Sequence, residues 1–172
     1  MIIYRSDEAI TAEEDRELRK LLSASFPFNP IFLARRYFVQ RPGHRWLVRG
    51  PTGELIAHAA LHERTIGTEL GDVLIGGVAE VCVAPKQRGL GITRELLRSI
   101  HQWLGDRGIA FAMLFGQPKV YLSSGYVPIR NELKSEDLLS RHWNPFGGIP
   151  MIKTLSQTPW PAGIIDLRGP TF

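Results

Sequence analysis

The chain has 172 residues, 44% apolar and 22% charged, the balance of a folded globular protein with enough length for one domain and a substantial core. A net charge of +4 and a pI of about 9.5 would suit an anionic ligand, but the basic residues (Arg35, Arg36, Arg94, Arg98, Lys153) are scattered without interleaved aromatics, so no nucleic-acid partner is expected. The single cysteine, Cys82, excludes an intramolecular disulfide framework and a Cys-rich zinc site.

The opening MIIYRSDEAI is too polar and too short for a signal peptide, and no apolar run approaches the roughly 18 residues of a membrane span. A cytoplasmic protein with no membrane partner is expected. Met1 to Tyr4 reads as an edge strand. Thr11-Ala12-Glu13-Glu14 is a capping-box sequence, its hydroxyl and carboxylate satisfying N–H groups left unpaired at a helix start. Leu18, Leu21 and Leu22 give that helix an apolar stripe. Phe26-Pro27-Phe28-Asn29-Pro30 breaks it, and a second helix is expected through Phe32, Leu33, Arg36 and Phe38, ending before Arg41-Pro42-Gly43.

His44 to Val48 reads as a strand, Pro51-Thr52-Gly53 as a hairpin turn, and Leu55 to His62 as the returning strand, extended by Thr65 to Thr68. Gly71-Asp72 is a second turn, and Val73 to Ile75 leads through Gly76-Gly77 into an apolar run, Val78 to Ala84, stopped by Pro85. Ile92, Leu96, Leu97, Ile100, Trp103 and Leu104 then fall at helical spacing until Asp106-Arg107-Gly108 stops the helix. Ile109 to Phe115 is another apolar strand, and a strand–helix–strand unit of this size implies parallel pairing with a right-handed crossover. Pro118 to Ser124 supplies a short helix ended by Gly125, with Tyr126 to Ile129 as the next strand. His142 to Pro150 reads as a loop, Met151 to Leu155 as the last strand, and the segments around Trp160 and Gly169 as an irregular tail. No repeat or linker interrupts the chain, so residues 1–172 are expected to form a single domain, with a core over about residues 1–130 and a variable segment 131–172.

The chain is organised around Val78 to Leu97, VAEVCVAPKQRGLGITRELL: a buried strand, a glycine turn, and a helix start aimed back at the strand's end. Helix starts carry unpaired N–H groups and the positive end of the peptide dipoles, and glycines let an anion approach that backbone, so the junction suits a phosphate. Arg88 adds charge at its lip. A Walker loop is excluded, because no Gly-x-x-x-x-Gly-Lys-Ser/Thr run occurs. A dinucleotide fingerprint starts at Gly89 and Gly91 but meets Arg94 where its third glycine belongs.

What does match is Arg-x-x-Gly-x-Gly/Ala, as Arg88-Gly89-Leu90-Gly91-Ile92-Thr93 after Val83-Ala84-Pro85. This resembles the coenzyme A pyrophosphate loop of the GNAT superfamily of N-acyltransferases, with Thr93 a departure at the last small position. A second segment, Tyr121-Leu122-Ser123-Ser124-Gly125-Tyr126, is similar to that family's Tyr-x-x-x-Gly-Phe/Tyr signature. The order of elements also agrees over roughly residues 1 to 130. The resemblance implies an α/β (α+β) fold with a central mixed, mostly antiparallel sheet, one splayed parallel strand pair and flanking helices. It implies acetyl-CoA as acyl donor and no metal, with the backbone of Val81, Cys82 and Val83 holding the pantetheine arm and Arg88, Gly89, Leu90, Gly91, Ile92 and Thr93 the pyrophosphate. A homodimer is possible. The tail, with Trp160-Pro161-Ala162-Gly163, Asp166 and Gly169-Pro170, looks like that of the nodulation protein A family, which loads fatty acyl groups onto amino sugars.

Acyl transfer to an amine needs that amine neutral, while an alkyl ammonium has a pKa near 10.4 (about that of Lys), so a proton acceptor is wanted. Glu80, the only charge inside the apolar run, is similar in placement to a family carboxylate that acts as base or orders water; it could equally be satisfied by a neighbouring Arg or backbone group. Tyr121 matches the tyrosine that gives a proton to the departing sulfur. Its alternative is a packed aromatic. Cys82 could carry the acyl group covalently, although a thiol inside an apolar strand is expected to be buried and inert. His58 and His62 could share a face near the acceptor or a metal, with satisfied residues the commoner use. Phe26, Phe28, Phe32 and Phe38 could line an acceptor groove but suit core packing better, and Trp143 and Trp160 are expected to be structural or to cover the acceptor side.

The leading expectation is an acetyl-CoA-dependent N-acetyltransferase acting on a small or peptidic primary amine by direct attack. The alternatives are a longer-chain acyltransferase on an amino sugar and a catalytically silent acyl-CoA-binding module.

Overall fold

A computed structural model describes residues 1–136 and 148–172 of the chain. They form two compact units, Met1–His62 with Ala79–Ile100, and Glu63–Val78 with His101–Phe172. Two long strands, β3 (Leu55–Thr68) and β4 (Gly71–Val83), contribute to both.

In the first unit, β1 (Ile2–Ser6) lies at the edge and pairs antiparallel with β2 (His44–Arg49), which pairs antiparallel with β3, Leu47 opposite His58. Helix α1 (Ala12–Ser25) starts on the expected capping box: Thr11 Oγ1 accepts from Glu14 N at 3.2 Å and the Thr11 N–H donates to Glu14 Oε2 at 3.0 Å. Its stripe of Leu18, Leu21 and Leu22 packs with Phe32, Leu47 and Cys82. Each such leucine contributes about 2 kcal/mol of apolar burial.

The expected second helix is cut short. Only α2 (Ile31–Ala34) forms, and Arg35 turns extended at φ −147°. The polar groups beyond it are taken up elsewhere. The Arg35 guanidinium donates to the carbonyls of Tyr37 and Phe38, Arg36 is drawn to Asp7 and Asp15, and the Phe38 N–H donates to Glu80 Oε1 at 2.8 Å. These bonds replace the helical ladder that the apolar spacing predicted.

In the second unit, β4 runs parallel to β5 (Phe111–Gly116), Gly76 beside Ala112 and Gly77 beside Met113, as the strand–helix–strand order predicts. The connecting helix is α3 (Ile92–Gly105), and Leu104 lies where a Cβ on Gly76 would sit. β5 pairs antiparallel with β8 (Ile149–Thr154), which pairs antiparallel with the two-residue β6 (Val127–Pro128). Between β5 and β6 come α4 (Pro118–Tyr121) and a 3-10 turn, Leu122–Ser124, closed by Gly125 in the left-handed region. β8 is not the last strand: β9 (Ile165–Asp166) follows, pairs antiparallel with β3 and runs parallel to β7 (Leu133–Lys134). Most of the expected loop His142–Pro150, Trp143 included, lies outside the described residues, and its last two residues begin β8.

The core here joins Ile66, Ile75, Phe111, Met113, Ile152, Ile165 and Leu167. Trp160 is structural, packing edge-on against Phe111 at 5.0 Å and donating from Nε1 to Asn131 Oδ1 at 2.9 Å. The fold class is the expected one: mixed α/β, with a mostly antiparallel sheet, a parallel β4–β5 pair and flanking helices. No helix among the described residues is long and apolar enough to cross a membrane.

Candidate active site

After Val83 the chain passes through a 3-10 turn, Pro85–Gln87, and reaches α3 through Gly89 and Gly91. Both glycines have left-handed backbone, φ +82° and +79°, and nothing lies within 4 Å of where a Cβ would stand on either. Gly91 O accepts from Glu95 N at 3.2 Å, so Gly91 caps α3 and Ile92, Thr93 and Arg94 form its first turn. Amides in a first turn have no acceptor inside the helix and point along its dipole. Open glycine backbone beside such amides fits a diphosphate, the anionic part of coenzyme A. Arg88 is exposed and tethered, its Nε donating to Val83 O at 3.2 Å; Leu90 is exposed as well.

Upstream, Glu80 has φ +53°, a left-handed residue without the freedom of glycine, near the end of β4. His58 Nδ1 lies 3.2 Å from the Glu80 carbonyl and Nε2 lies 3.0 Å from Arg45 Nη1. A carbonyl only accepts and a guanidinium only donates, so His58 is the neutral tautomer with its proton on Nδ1. Its burial and the charge of Arg45 hold it well below its ordinary pKa. His58 is thus a satisfied buried residue, and His62 is buried too.

The Glu80 side chain is itself buried. Oε1 accepts from Phe38 N at 2.8 Å and Oε2 from Arg45 Nη1 at 3.3 Å. Burial pushes the carboxyl up to about 7, with Arg45 and the Phe38 amide opposing it. Neighbours thus satisfy the carboxylate, while burial holds it near neutrality.

Val81 is half-buried on β4 and Cys82 turns into the core with Leu18, Leu21 and Leu22. Burial pushes the thiol up to about 12, which leaves no thiolate for a covalent route. Phe32 is core and meets the Phe26 ring at a tilt with centroids 5.5 Å apart, Phe38 packs against the same cluster, and Phe28 is exposed.

In the second unit, Tyr121 ends α4 with its ring over Gly116, leaving no room for a Cβ there. It meets Tyr126 edge-on at 6.1 Å, and the Tyr126 hydroxyl is 2.9 Å from His101 Nε2. Burial, with Lys153 adding to it, lowers His101 to about 4.

The residues that the sequence did not single out are Asp7 and Arg45, both buried. Arg45 carried the signal that picked out Glu80, a charge within an apolar strand. Asp7 carried none.

A mixed sheet with an open glycine turn at the head of α3 is the arrangement expected of an acyltransferase of this class. The family model for the acetyltransferase (GNAT) domain matches residues 8–129, and the chain belongs to that family. Solved structures with the same fold include a GNAT-family N-acetyltransferase from Escherichia coli in complex with CoA (TM-score 0.66, 16% identity, 97% of this chain and 88% of that one). Others are a putative N-acetyltransferase from Lactobacillus plantarum (0.63, 18%, 91% and 98%) and a Brucella melitensis GNAT-family acetyltransferase in complex with acetyl-CoA (0.61, 15%, 96% and 94%). No curated protein matches the sequence.

Proposed function

We propose that this chain transfers an acetyl group from acetyl-CoA to a primary amine of a small molecule or peptide. The observation that carries the reading is the open Gly89–Gly91 turn at the start of α3, where left-handed backbone and first-turn amides suit the diphosphate of the donor. The donor's thioester supplies the activated acyl group when bound. Gly89, Leu90, Gly91, Ile92 and Thr93 hold the diphosphate through backbone N–H groups, with Arg88 beside them. The backbone of Val81, Cys82 and Val83 takes the pantetheine arm. Of these, Val83 O already accepts from Arg88, so the neighbouring groups carry more of that contact.

Glu80 takes the amine's proton, directly or through a water; support comes from its titration near 7 and from its strained backbone, which is characteristic of functional positions. Tyr121 returns a proton to the leaving sulfur. A cytoplasmic setting accords with a lone, buried, reduced thiol.

The test is thiol release from acetyl-CoA and from longer acyl-CoAs against amino sugars, polyamines, amino acids and peptides. Acetyl-CoA with at least one amine should turn over. Preference for a long acyl chain with an amino sugar would replace the reading with the nodulation protein A-like one. Tight coenzyme A binding with no turnover on any amine would leave a binding module.

A further inference from the structure

The first unit buries a cluster of charged side chains around Asp7 and Arg45. The Asp7 side chain, just after β1, is only 2% exposed and is shared by three guanidiniums. Arg36 grips it with two donors, Nε at 3.0 Å and Nη2 at 2.7 Å, while Arg41 and Arg45 each donate from Nε. Arg45, on β2, is fully buried, and its donors are divided. Nε goes to Asp7, Nη2 to Arg36 O at 3.0 Å, and the two hydrogens of Nη1 face His58 Nε2 at 3.0 Å and Glu80 Oε2 at 3.3 Å. Glu80 therefore receives the longest of the contacts that this guanidinium makes.

A guanidinium aimed wholly at Glu80 would hold it ionised but too weakly basic to take a proton from an ammonium. A missing guanidinium would leave it protonated and unable to accept one. We propose that Asp7 and Arg45 are positioning residues for Glu80: Asp7 draws the buried guanidinium toward itself, and the weakened contact keeps the carboxyl able to exchange a proton. His58 assists, helping to hold the guanidinium through one ring nitrogen and bonding the carbonyl of the left-handed Glu80 through the other. The inference rests on the reading of Glu80 as proton acceptor. The groups facing this carboxyl are Arg45 from β2 and the Phe38 amide; His58 from β3 meets the Glu80 backbone carbonyl and Arg45; Asp7, Arg36 and Arg41 stand behind Arg45, and Cys82 on β4 is a neutral thiol. Asp15 of α1 enters through Arg36, which it meets at 2.8 Å.

The two residues act with opposite sign. Asp7→Asn releases the guanidinium to Glu80 and should move its titration to lower pH by about one unit. Arg45→Gln removes the cation bonded to the carboxyl and should move it up by a similar amount. Arg41→Gln, at a half-exposed position, tightens Asp7 on Arg45 and should move it up by less; this variant carries the test should the buried substitutions fail to fold.

The experiment is a carbon-13 NMR titration of the glutamate carboxyls on the whole chain, with Glu80 assigned by the signal lost in Glu80→Gln, beside the pH profile of acetyl transfer. Shifts of opposite sign for Asp7→Asn and the two arginine variants establish the arrangement. An unmoved Glu80 titration in the folded variants overturns it. Should the NMR titration shift while the rate profile does not follow, the arrangement stands and the role of Glu80 as base falls.

Discussion

At the scale of single residues, the proposed chemistry falls where side chains are held in costly states. Glu80 combines a left-handed backbone with a buried carboxyl, each unfavourable alone. With the carboxyl at about 7, the acid side of the kcat/KM profile should fall away below neutrality as Glu80 takes up a proton. Glu80→Gln should lower turnover by about 10²- to 10⁴-fold and abolish that limb. Turnover within a few-fold of the parent would make Glu80 a structural residue. Tyr121→Phe keeps the ring on Gly116 and against Tyr126 and removes only the hydroxyl, so kcat should drop by at least about tenfold with coenzyme A affinity unchanged. A loss confined to affinity would remove Tyr121 from the chemistry.

At the scale of elements, α1 and α3 separate two kinds of helix start. α1 is closed by its own capping box, and Thr11→Ala should cost about 1 kcal/mol in urea unfolding without affecting turnover at saturating substrate. α3 starts instead on open glycine backbone. Gly91→Glu places a carboxylate where the diphosphate is proposed to bind and strains a φ of +79°, so the Kd for coenzyme A should rise at least about tenfold in calorimetric titration. An unchanged Kd would move the diphosphate elsewhere. Both starts were legible in the sequence because each is a local signal, a hydroxyl three residues before a carboxylate or two glycines before an apolar stripe. The helix through Phe38 was misread for the opposite reason. Its spacing was helical, but Arg36 and the Phe38 amide bond to groups on other elements, and spacing carries no record of such partners. The same blindness hid Asp7, whose three arginines lie 29 to 38 positions away.

At the scale of the whole molecule, the buried charges make stability a function of pH with contributions of both signs. Burial works to raise the Asp7 carboxyl, and the guanidiniums of Arg36, Arg45 and Arg41 more than reverse it, holding it well below the usual carboxylate range. Its contribution is present above its unfolded value of 3.8 and is lost as pH falls below that. Glu80 runs the other way. Its folded value of about 7 exceeds the unfolded 4.5, so the stability it allows is fully present below 4.5 and is lost as pH rises through 7. His58 opposes Glu80 across part of that window, because a histidine held neutral favours folding less as pH drops below 6.5. A stability curve of the parent alone would blend these terms. The difference between parent and Glu80→Gln isolates one of them, since the histidine and Asp7 contributions are common to both and only the carboxyl titrates out. Relative to the parent, the Gln variant should gain stability between pH 4.5 and pH 8, by up to about 3 kcal/mol in urea unfolding for a carboxyl buried this fully. A difference that stays flat across that range would mean that Glu80 is ionised in the folded protein throughout. The buried Arg45 would then be its full counter-ion, and the proton acceptor for the amine would have to be another group.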